Sequence, residues 1–266
     1  IRAIMRFWLD QGAAGFRVDM AESLIKGLGK EQPTVELWQE MRAWLAEQDP
    51  EAVLQAEWGV PARAIEAGFH MDFLLHFGDP AYTNLLRKEN GFAHYRDPEG
   101  ASYFSRSGRG NLMSFLSRYV RHRDQTEGRG YINVPTGNHD IAPRLAHDRD
   151  GADLRVVYAF LLTIPGVPFI YYGDEIGMVG DPALPSKEGG YVRTQVRTPM
   201  RWNSFPGAGF SSADPASFYL PVDAGPATAT VEAQDGDAES LLGFVRELIR
   251  YRRGHAVLGA GAHLEP

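Results

Sequence analysis

The sequence predicts an α/β fold built around a parallel β-sheet. Short apolar runs alternate with longer helical patterns about five times, as in sheets whose parallel strands are joined by helical crossovers. The predicted strands cover residues 15–19, 52–57, 69–76, 131–136 and 167–172. The predicted helices cover residues 1–11, 35–48, 111–124, 153–164 and 238–253. Five such strands fit either an open doubly wound sheet or part of a closed barrel.

Apolar residues at helical spacing predict the first two helices. In residues 1–11 the apolar stripe consists of Ile1, Ile4, Met5, Trp8 and Leu9. In residues 35–48 it consists of Val35, Leu37, Trp38, Met41, Trp44 and Leu45. Gly12 and Asp49-Pro50 follow these segments and indicate where each helix ends. The short runs GFRVD, AVLQAE and FHMDFLLH are typical of strands.

The second half of the chain continues the alternation with longer connections. Residues 91–110 are polar and Gly-rich and predict a long loop before the helix at 111–124. The strand candidates YINVPT and VPFIYY flank a buried-looking helix at 153–164. Residues 173–237 lack strong periodicity and are rich in Gly, Pro, Ser and Asp, so they predict a second long loop or an insertion. A loop of that size inside a compact domain is usually functional.

Composition excludes several classes of function. The 266 residues carry 27 Lys and Arg against 34 Asp and Glu, a net charge of −7, so we expect no nucleic-acid partner. The absence of cysteine excludes disulfides, a thiol nucleophile and Cys-ligated zinc. The longest nearly unbroken apolar run, residues 156–172, is interrupted by Pro165, Gly166 and Pro168. We therefore expect no membrane-spanning segment.

Three acidic residues lie at or shortly after the ends of predicted strands. Asp19 ends GFRVD, Glu57 ends AVLQAE, and Asp140 lies in GNHD after YINVPT. Active sites of parallel α/β folds form at the carboxyl ends of the strands, so we expect these side chains to share one rim. Such a cluster has two chemical interpretations: a divalent metal site, or a nucleophile and an acid for glycoside chemistry.

Arg17 distinguishes the expected roles of the first two carboxylates. It lies two residues before Asp19 and therefore on the same face of the strand, where its charge would keep Asp19 ionised, as a nucleophile requires. Glu57 would have to stay protonated to act as an acid. Repulsion within the cluster and burial beside Trp58 are expected to raise the pKa of Glu57.

The motifs GFRVD, AEWG and GNHD, in this order and spacing, resemble three signatures of the α-amylase superfamily, glycoside hydrolase family 13. VPFIYYGDEIGM is similar to that family's strand-eight segment, and RTPMRWN and SLLGFVRELIRYRR resemble its α-glucosidase and trehalose-synthase-like branch. The resemblance covers nearly the whole chain. It implies that Asp19 is the nucleophile, Glu57 the general acid/base and Asp140 a stabiliser of the transition state. It also implies that Arg17 and His139 help to hold the sugar.

The resemblance implies a partial TIM (β/α)8 barrel covering about strands four to eight. Residues 1–255 would form the C-terminal part of that barrel, and residues 256–266 would begin a C-terminal β domain. Strands one to three and the domain that protrudes after strand three do not occur in the sequence. We therefore expect the chain to be a piece of a longer enzyme, with low stability and no activity by itself.

Two positions depart from the family pattern. Glu22-Ser23 stand where many starch-cleaving members carry Lys-His, which argues against a typical amylase acceptor site. Arg144 falls four residues after Asp140, where many glucosidase members have an arginine three residues after the catalytic aspartate. The role of Arg144 therefore stays open at this point.

The function implied is that of a retaining glycoside hydrolase acting on α-glucosidic bonds, with an oligosaccharide or disaccharide as substrate. A glucosyl-transferring isomerase of trehalose-synthase type shares the first step and is an alternative, because the sequence does not identify the acceptor. A non-catalytic scaffold of this fold is a further alternative, against which the retained Asp19, Glu57 and Asp140 argue. No cofactor and no metal site are predicted. Calcium in the full-length enzyme and the compartment stay open, with the cytoplasm favoured.

Overall fold

A computed structural model describes residues 1–27, 29, 31–74, 80–87, 102–106, 110–187, 193–223, 225–226 and 229–261. The chain divides into two compact units. The first unit comprises Ile1–Leu75 and Leu116–Val134, and the second unit comprises His76–Phe115 and Pro135–Pro266.

Helices and short strands alternate along the chain. The helices are α1 (Arg2–Asp10), α2 (Glu31–Gln48), α3 (Pro61–Glu66), α4 (Pro80–Leu86), α5 (Leu112–Thr126), α6 (Gly151–Thr163), α7 (Val231–Gln234) and α8 (Leu241–Gly254). The strands are β1 (Gly15–Val18), β2 (Val53–Ala56), β3 (Met71–Phe73), β4 (Tyr131–Pro135) and β5 (Val167–Phe169). Short 3-10 helices form at Ala21–Ser23, Asp174–Ile176, Thr194–Val196, Pro215–Ser217 and Ala256–Leu258. Every predicted strand and helix overlaps one of these elements, and the strands are shorter than predicted.

In the first unit, strands β1 to β4 pair in chain order, and every pair is parallel. Val18 pairs with Ala56, Ala56 with Asp72, and Phe73 with Asn133. The predicted α/β fold with a parallel sheet is therefore confirmed. Because the strands run the same way, the residues that follow β1 and β2 leave the sheet at the same edge.

Gly15 is required where β1 approaches β2. Its φ is +152°, and a Cβ at this position would collide with the backbone of Val53. A side chain here would force the two strands apart, so glycine fixes the spacing on which the pairing of β1 with β2 depends.

The core of the first unit packs α2 against β2 and α3. It consists of Met5, Ala21, Val35, Trp38, Met41, Leu45, Ala52, Leu54, Ala56, Ala64, Ala67 and Phe69. The α2 members recur three or four residues apart, which is the spacing that places side chains on one helix face. Helix α2 begins earlier than predicted, at Glu31, because Pro33 lies in the first turn, where its missing N–H breaks no helical hydrogen bond.

The predicted apolar stripe of α1 is only partly correct. Met5 is buried and Leu9 packs against the core, whereas Ile1, Ile4 and Trp8 are exposed. Met5 and Leu9 lie one turn apart, while Ile4 and Trp8 are rotated away from that line around the helix axis. Neither α1 nor any other helix within the described ranges combines the length and apolarity that crossing a membrane requires.

Three of the described helices, α3, α4 and α7, were not predicted. They have six, seven and four residues, fewer than two full turns each, so none repeats an apolar spacing often enough to stand out. Pro61 at the first position of α3 is the signal that could have indicated its start, because proline is favoured there.

Side-chain caps set where the helices of the second unit begin. The Asp150 carboxylate accepts the N–H groups of Ala152 and Asp153, and the Asp153 side chain accepts the Asp150 N–H in return, so α6 starts two residues before its predicted start. The Ser240 hydroxyl accepts the N–H of Gly243, so α8 starts three residues later than predicted.

The second unit also contains β5 and the segment predicted as a long loop. The Thr136 N–H, directly after β4, donates to the carbonyl oxygen of Phe169 in β5 over 2.8 Å. The segment 173–237 carries four short helical turns, and part of it joins α8 in a buried cluster. That cluster consists of Ile176, Met178, Met200 and Leu242. Single turns held by distant contacts leave no periodic pattern, which is why the sequence predicted only a long loop or insertion here.

The predicted loop at 91–110 and the predicted start of a β domain at 256–266 are only partly covered by the described residues. Most of the predicted loop 91–110 falls outside the described residues. The predicted start of a β domain at 256–266 is described only as far as Gly261, with a 3-10 helix at Ala256–Leu258, and it stays a prediction.

His70 makes an unusual contact with the sheet. Its Nδ1 accepts the backbone N–H of Leu54 over 2.9 Å, which requires an unprotonated nitrogen. Burial first, and then the nearby charge of Arg42, lower the pKa of His70 below its usual value of 6.5. The folded protein therefore binds fewer protons at His70 than the unfolded chain does as the pH falls through this range.

We predict that the free energy of unfolding decreases as the pH falls below about 6.5, because burial and the charge of Arg42 disfavour the protonated imidazole of His70 in the folded protein. His70→Asn keeps an acceptor at a similar place and cannot titrate, so this variant should lose less stability over the same range. Urea unfolding of both proteins between pH 7.5 and pH 5.5 provides the measurement. Parallel stability curves would contradict the assignment.

Candidate active site

The pairing of β1 with β2 brings three predicted residues together in the first unit. Arg17 lies in β1, and Asp19 and Glu57 directly follow β1 and β2 at the same sheet edge. The Arg17 guanidinium joins both carboxylates: its Nη1 lies 2.8 Å from Asp19 Oδ1, and its Nη2 lies 2.8 Å from Glu57 Oε1. Two carboxyl groups bound to one guanidinium fork lie within a few ångströms of each other.

The two carboxyl groups differ sharply in exposure. Glu57 is only 7% exposed, whereas the Asp19 side chain is 71% exposed. Burial raises the pKa of Glu57, and the neighbouring Asp19 carboxylate raises it further, while the Met20 N–H and the Arg17 charge lower it. The balance leaves the pKa of Glu57 above its ordinary value of 4.5, as predicted for an acid.

The backbone after Asp19 folds back onto Glu57. Met20 adopts a left-handed conformation with φ of 43°, and its N–H donates to Glu57 Oε2 over 3.1 Å. The Ala21 N–H donates to the Glu57 carbonyl oxygen, and the Glu57 N–H donates to the Val18 carbonyl oxygen, each over 3.0 Å. The strained turn at Met20 is therefore tied directly to the position of Glu57.

Trp58, which follows the acid, packs into the unit. Its ring stands edge-on to Phe69 with 6.3 Å between ring centroids, and it contacts the core of the first unit. These contacts indicate that Trp58 packs against the core of the first unit.

Asp140 and His139 lie in the second unit. Asp140 Oδ1 pairs with Arg193 Nη1 at 2.7 Å and with Arg197 Nη2 at 2.8 Å, and His139 Nε2 lies 3.5 Å from Oδ2. The Asp140 N–H donates to the side-chain oxygen of Asn138 over 2.8 Å. Two guanidinium groups therefore stabilise the charged form of this carboxylate.

The pairing of Asp140 with the two arginines was not predicted. Arg197 also donates through its Nε to the His139 carbonyl oxygen over 2.8 Å. The sequence did not indicate that Arg193 binds Asp140, because the two residues are 53 positions apart and an aperiodic segment separates them. Only the repeated arginines in VRTQVRT, four residues apart, could have drawn attention to this pair.

Arg144, whose role the spacing left open, is buried beneath this segment. It donates to the carbonyl oxygens of Tyr172 (2.7 Å) and Val196 (3.0 Å). Asp174 lies 3.6 Å from Arg144 and accepts the Thr136 hydroxyl over 2.7 Å, while burial raises its pKa. This buried network ties the end of β4 to the segment that carries Arg197.

The same segment forms a cleft of about 720 Å³ with aromatic walls. Tyr172, Trp202, Phe210 and Tyr219 line it, and Arg197 contributes to its wall, so one arginine contacts both Asp140 and the cleft. Trp202 is 50% exposed. Across the part of the chain that the structure describes, no group of three or more carboxylate or imidazole side chains is placed to hold a metal ion.

The chain matches the family model of the alpha-amylase catalytic domain over residues 1–261. It therefore belongs to the alpha-amylase family. Among curated relatives, the trehalose synthase/amylase TreS of Mycobacterium tuberculosis is 30% identical, with 98% of this chain and 47% of the relative aligned. The oligo-1,6-glucosidase of Parageobacillus thermoglucosidasius is 24% identical, with 98% of this chain and 53% of the relative aligned. The chain thus spans about half the length of the curated relatives it matches.

Solved structures agree on the fold. Trehalulose synthase MutB in complex with Tris superposes with a TM-score of 0.74 at 22% identity, covering 98% of this chain and 54% of that chain. Isomaltulose synthase PalI from Klebsiella sp. LX3 gives 0.75 at 20% identity, with the same coverage. These neighbours are TIM-barrel enzymes, and at this level of identity the likeness concerns the fold alone.

We predict that Arg17→Gln raises the pKa of Glu57 further, because the charge of Arg17 lowers it now. Carboxyl titration by NMR of protein with labelled glutamate provides the measurement, with Glu57→Gln identifying the signal. Arg63→Gln removes an exposed partner of Glu66 in the same unit and serves as the control. An unchanged titration of Glu57 in Arg17→Gln would show that the guanidinium does not act on this acid.

Proposed function

We propose that the protein carrying this chain is a retaining glycosidase that acts on α-glucosidic bonds. The observation that supports this most strongly is the Arg17 fork, which holds an exposed and a buried carboxyl group side by side. Retaining glycosidases need a nucleophile and an acid about 5–5.5 Å apart, with different protonation states. The different environments of Asp19 and Glu57 fit that requirement.

In the first step, a carboxylate oxygen of Asp19 attacks the anomeric carbon while Glu57 gives its proton to the glycosidic oxygen. The bond between carbon and leaving oxygen breaks, the leaving group departs as an alcohol, and a β-glucosyl ester of Asp19 remains. In the second step, Glu57 removes a proton from water as the water oxygen attacks the same carbon. The ester bond breaks, and glucose with its original α configuration is released.

We assign Asp140 to stabilisation of the transition state and His139, with Arg17, to holding the sugar, as the family motifs imply. The ion pairs of Asp140 with Arg193 and Arg197 support this, because they keep an anion available for a positively charged transition state. The proposed steps use only side chains of the chain itself, so we propose no cofactor and no metal in them.

We further propose that β1 to β5 are strands four to eight of a (β/α)8 barrel, with residues 1–255 as the C-terminal part of the catalytic domain. The parallel order of β1 to β4 and the likeness to barrel enzymes support this assignment.

The proposed substrate is an oligosaccharide or a disaccharide. MutB, a structural neighbour, has been crystallised with sucrose and with isomaltulose. The aromatic cleft of the second unit supports a sugar ligand, because pyranose rings present apolar C–H faces that pack on exposed aromatic rings such as Trp202.

A second candidate is a glucosyl-transferring isomerase of trehalose-synthase type. It shares the first step and differs in the acceptor, which is the released sugar rather than water. The trehalose synthase relatives, at 29–30% identity, favour this candidate.

We predict that Asp19→Asn abolishes turnover of an α-glucoside, because an amide cannot form the ester, and that Glu57→Gln lowers kcat by about 10²–10⁴-fold. Steady-state kinetics of the full-length protein provide the measurement. Glu66→Gln changes an exposed carboxylate of the same unit and should leave activity intact. Undiminished turnover by Asp19→Asn would refute the proposed mechanism.

Incubation of the protein with maltose separates the two candidates. The glycosidase predicts glucose as the sole product, whereas the isomerase predicts trehalose, because the released glucose is recaptured before water attacks. Chromatography of the products at early times provides the measurement. Trehalose as the main product would overturn the hydrolase assignment while leaving the first chemical step in place.

A further inference from the structure

Asp72 is a fully buried acidic residue that the proposed reaction does not use. It lies in the middle of β3 with 0% exposure and pairs in the sheet with Ala56, the residue immediately before Glu57. A carboxyl group without solvent costs free energy unless hydrogen bonds compensate, so its partners indicate what the residue does.

The partners of Asp72 belong to the turn that follows the acid. Asp72 Oδ1 accepts the backbone N–H of Trp58 over 2.9 Å. The N–H groups of Gly59, Val60 and Phe73 lie near enough to lower the pKa of this carboxyl, although Asp72 Oδ2 forms no hydrogen bond with the described residues. Gly59 has φ of 80°, a left-handed conformation that turns the chain over the carboxyl group. The Asp72 side chain therefore lies against the backbone turn that follows Glu57 at the end of β2.

Burial opposes these hydrogen bonds. Burial is the largest influence and raises the pKa of Asp72 to about 7, although four backbone N–H groups lower it. Burial of the Asp72 carboxyl therefore costs free energy. An apolar residue could fill the same space without that desolvation cost.

We propose that Asp72 is a positioning residue that holds Glu57 in place through the Trp58–Val60 turn. This inference rests on the proposed function, because it concerns the acid of that reaction. Arg17 and Met20 bind the Glu57 side chain. Asp72 binds the N–H of the peptide bond that joins Glu57 to Trp58. Loss of this anchor frees the backbone of the turn and moves the acid away from the leaving oxygen.

This role predicts a selective defect. A misplaced acid matters most when the leaving group is a poor one that needs its proton, and least when the leaving group is acidic enough to depart as an anion. A purely structural role of Asp72 would instead lower activity on all substrates in proportion.

Asp72→Asn in the full-length protein tests the proposal. The amide retains the size of the carboxyl, but its oxygen is an uncharged and weaker acceptor for the Trp58 N–H, and its NH₂ group turns a donor toward the neighbouring N–H groups of Gly59, Val60 and Phe73. The measurement is kcat/KM, which reports the first step, for aryl α-glucosides whose phenols range from weakly to strongly acidic. We expect a loss of about 10–100-fold for the least acidic phenol and less than about threefold for the most acidic.

Thr126→Val is the matched control. Thr126 is buried in the first unit, and its hydroxyl donates to the His122 carbonyl oxygen over 3.0 Å in the last turn of α5. This variant also loses a buried hydrogen bond with little change in volume. It should change activity equally for all leaving groups or not at all.

Equal losses for all phenols, or unchanged kinetics in folded Asp72→Asn, would overturn the proposal. Glu57→Gln is measured alongside, and a flat leaving-group dependence in that variant would instead refute Glu57 as the acid, which is a failure of the proposed function. Where Asp72→Asn does not fold, amide exchange of Trp58 in the unsubstituted protein decides. A protected amide supports the anchor, and exchange as fast as in an open loop contradicts it.

Discussion

The shared guanidinium of Arg17 is the interaction on which the candidate site depends. Each of its two outer nitrogens lies 2.8 Å from a different carboxylate, one exposed and one buried. This geometry requires Asp19 and Glu57 to follow neighbouring parallel strands in register, and that register requires glycine at position 15, where a Cβ would collide with β2. The charge pattern of the site thus depends on the pairing of β1 with β2, and that pairing depends on the close approach that Gly15 allows.

Around Glu57 the backbone performs much of the positioning. Met20, in a left-handed conformation, donates its N–H to the Glu57 side chain. The buried Asp72 accepts the N–H of Trp58, the residue that follows Glu57. Burial raises the pKa of the acid while Arg17 and Met20 limit the rise. An acid that must give and then regain a proton is served by such a balance, because a fully stabilised anion or a permanently neutral carboxyl would perform only one of the two steps.

The regular elements, whose apolar residues recur with a helix or strand period, were predictable from the sequence. Alternating strands and helices indicated the parallel sheet, and strand ends located Asp19 and Glu57 because parallel strands place their carboxyl ends at one edge. The short helix beginning at Pro61 has too few turns to show a period. The partners of Asp140, Arg193 and Arg197, come from an aperiodic segment more than 50 residues later, and only tertiary structure brings them together.

Trapping of the glucosyl-enzyme intermediate identifies the residue that carries the sugar. Glu57→Gln incubated with α-glucosyl fluoride can form the ester, because fluoride leaves without a proton, but hydrolyses it slowly, because the base is missing. Mass spectrometry of the digested protein then locates the modification. We expect one glucosyl group on the peptide that contains Asp19. A glucosyl group on another carboxylate, or turnover without any covalent adduct, would contradict it.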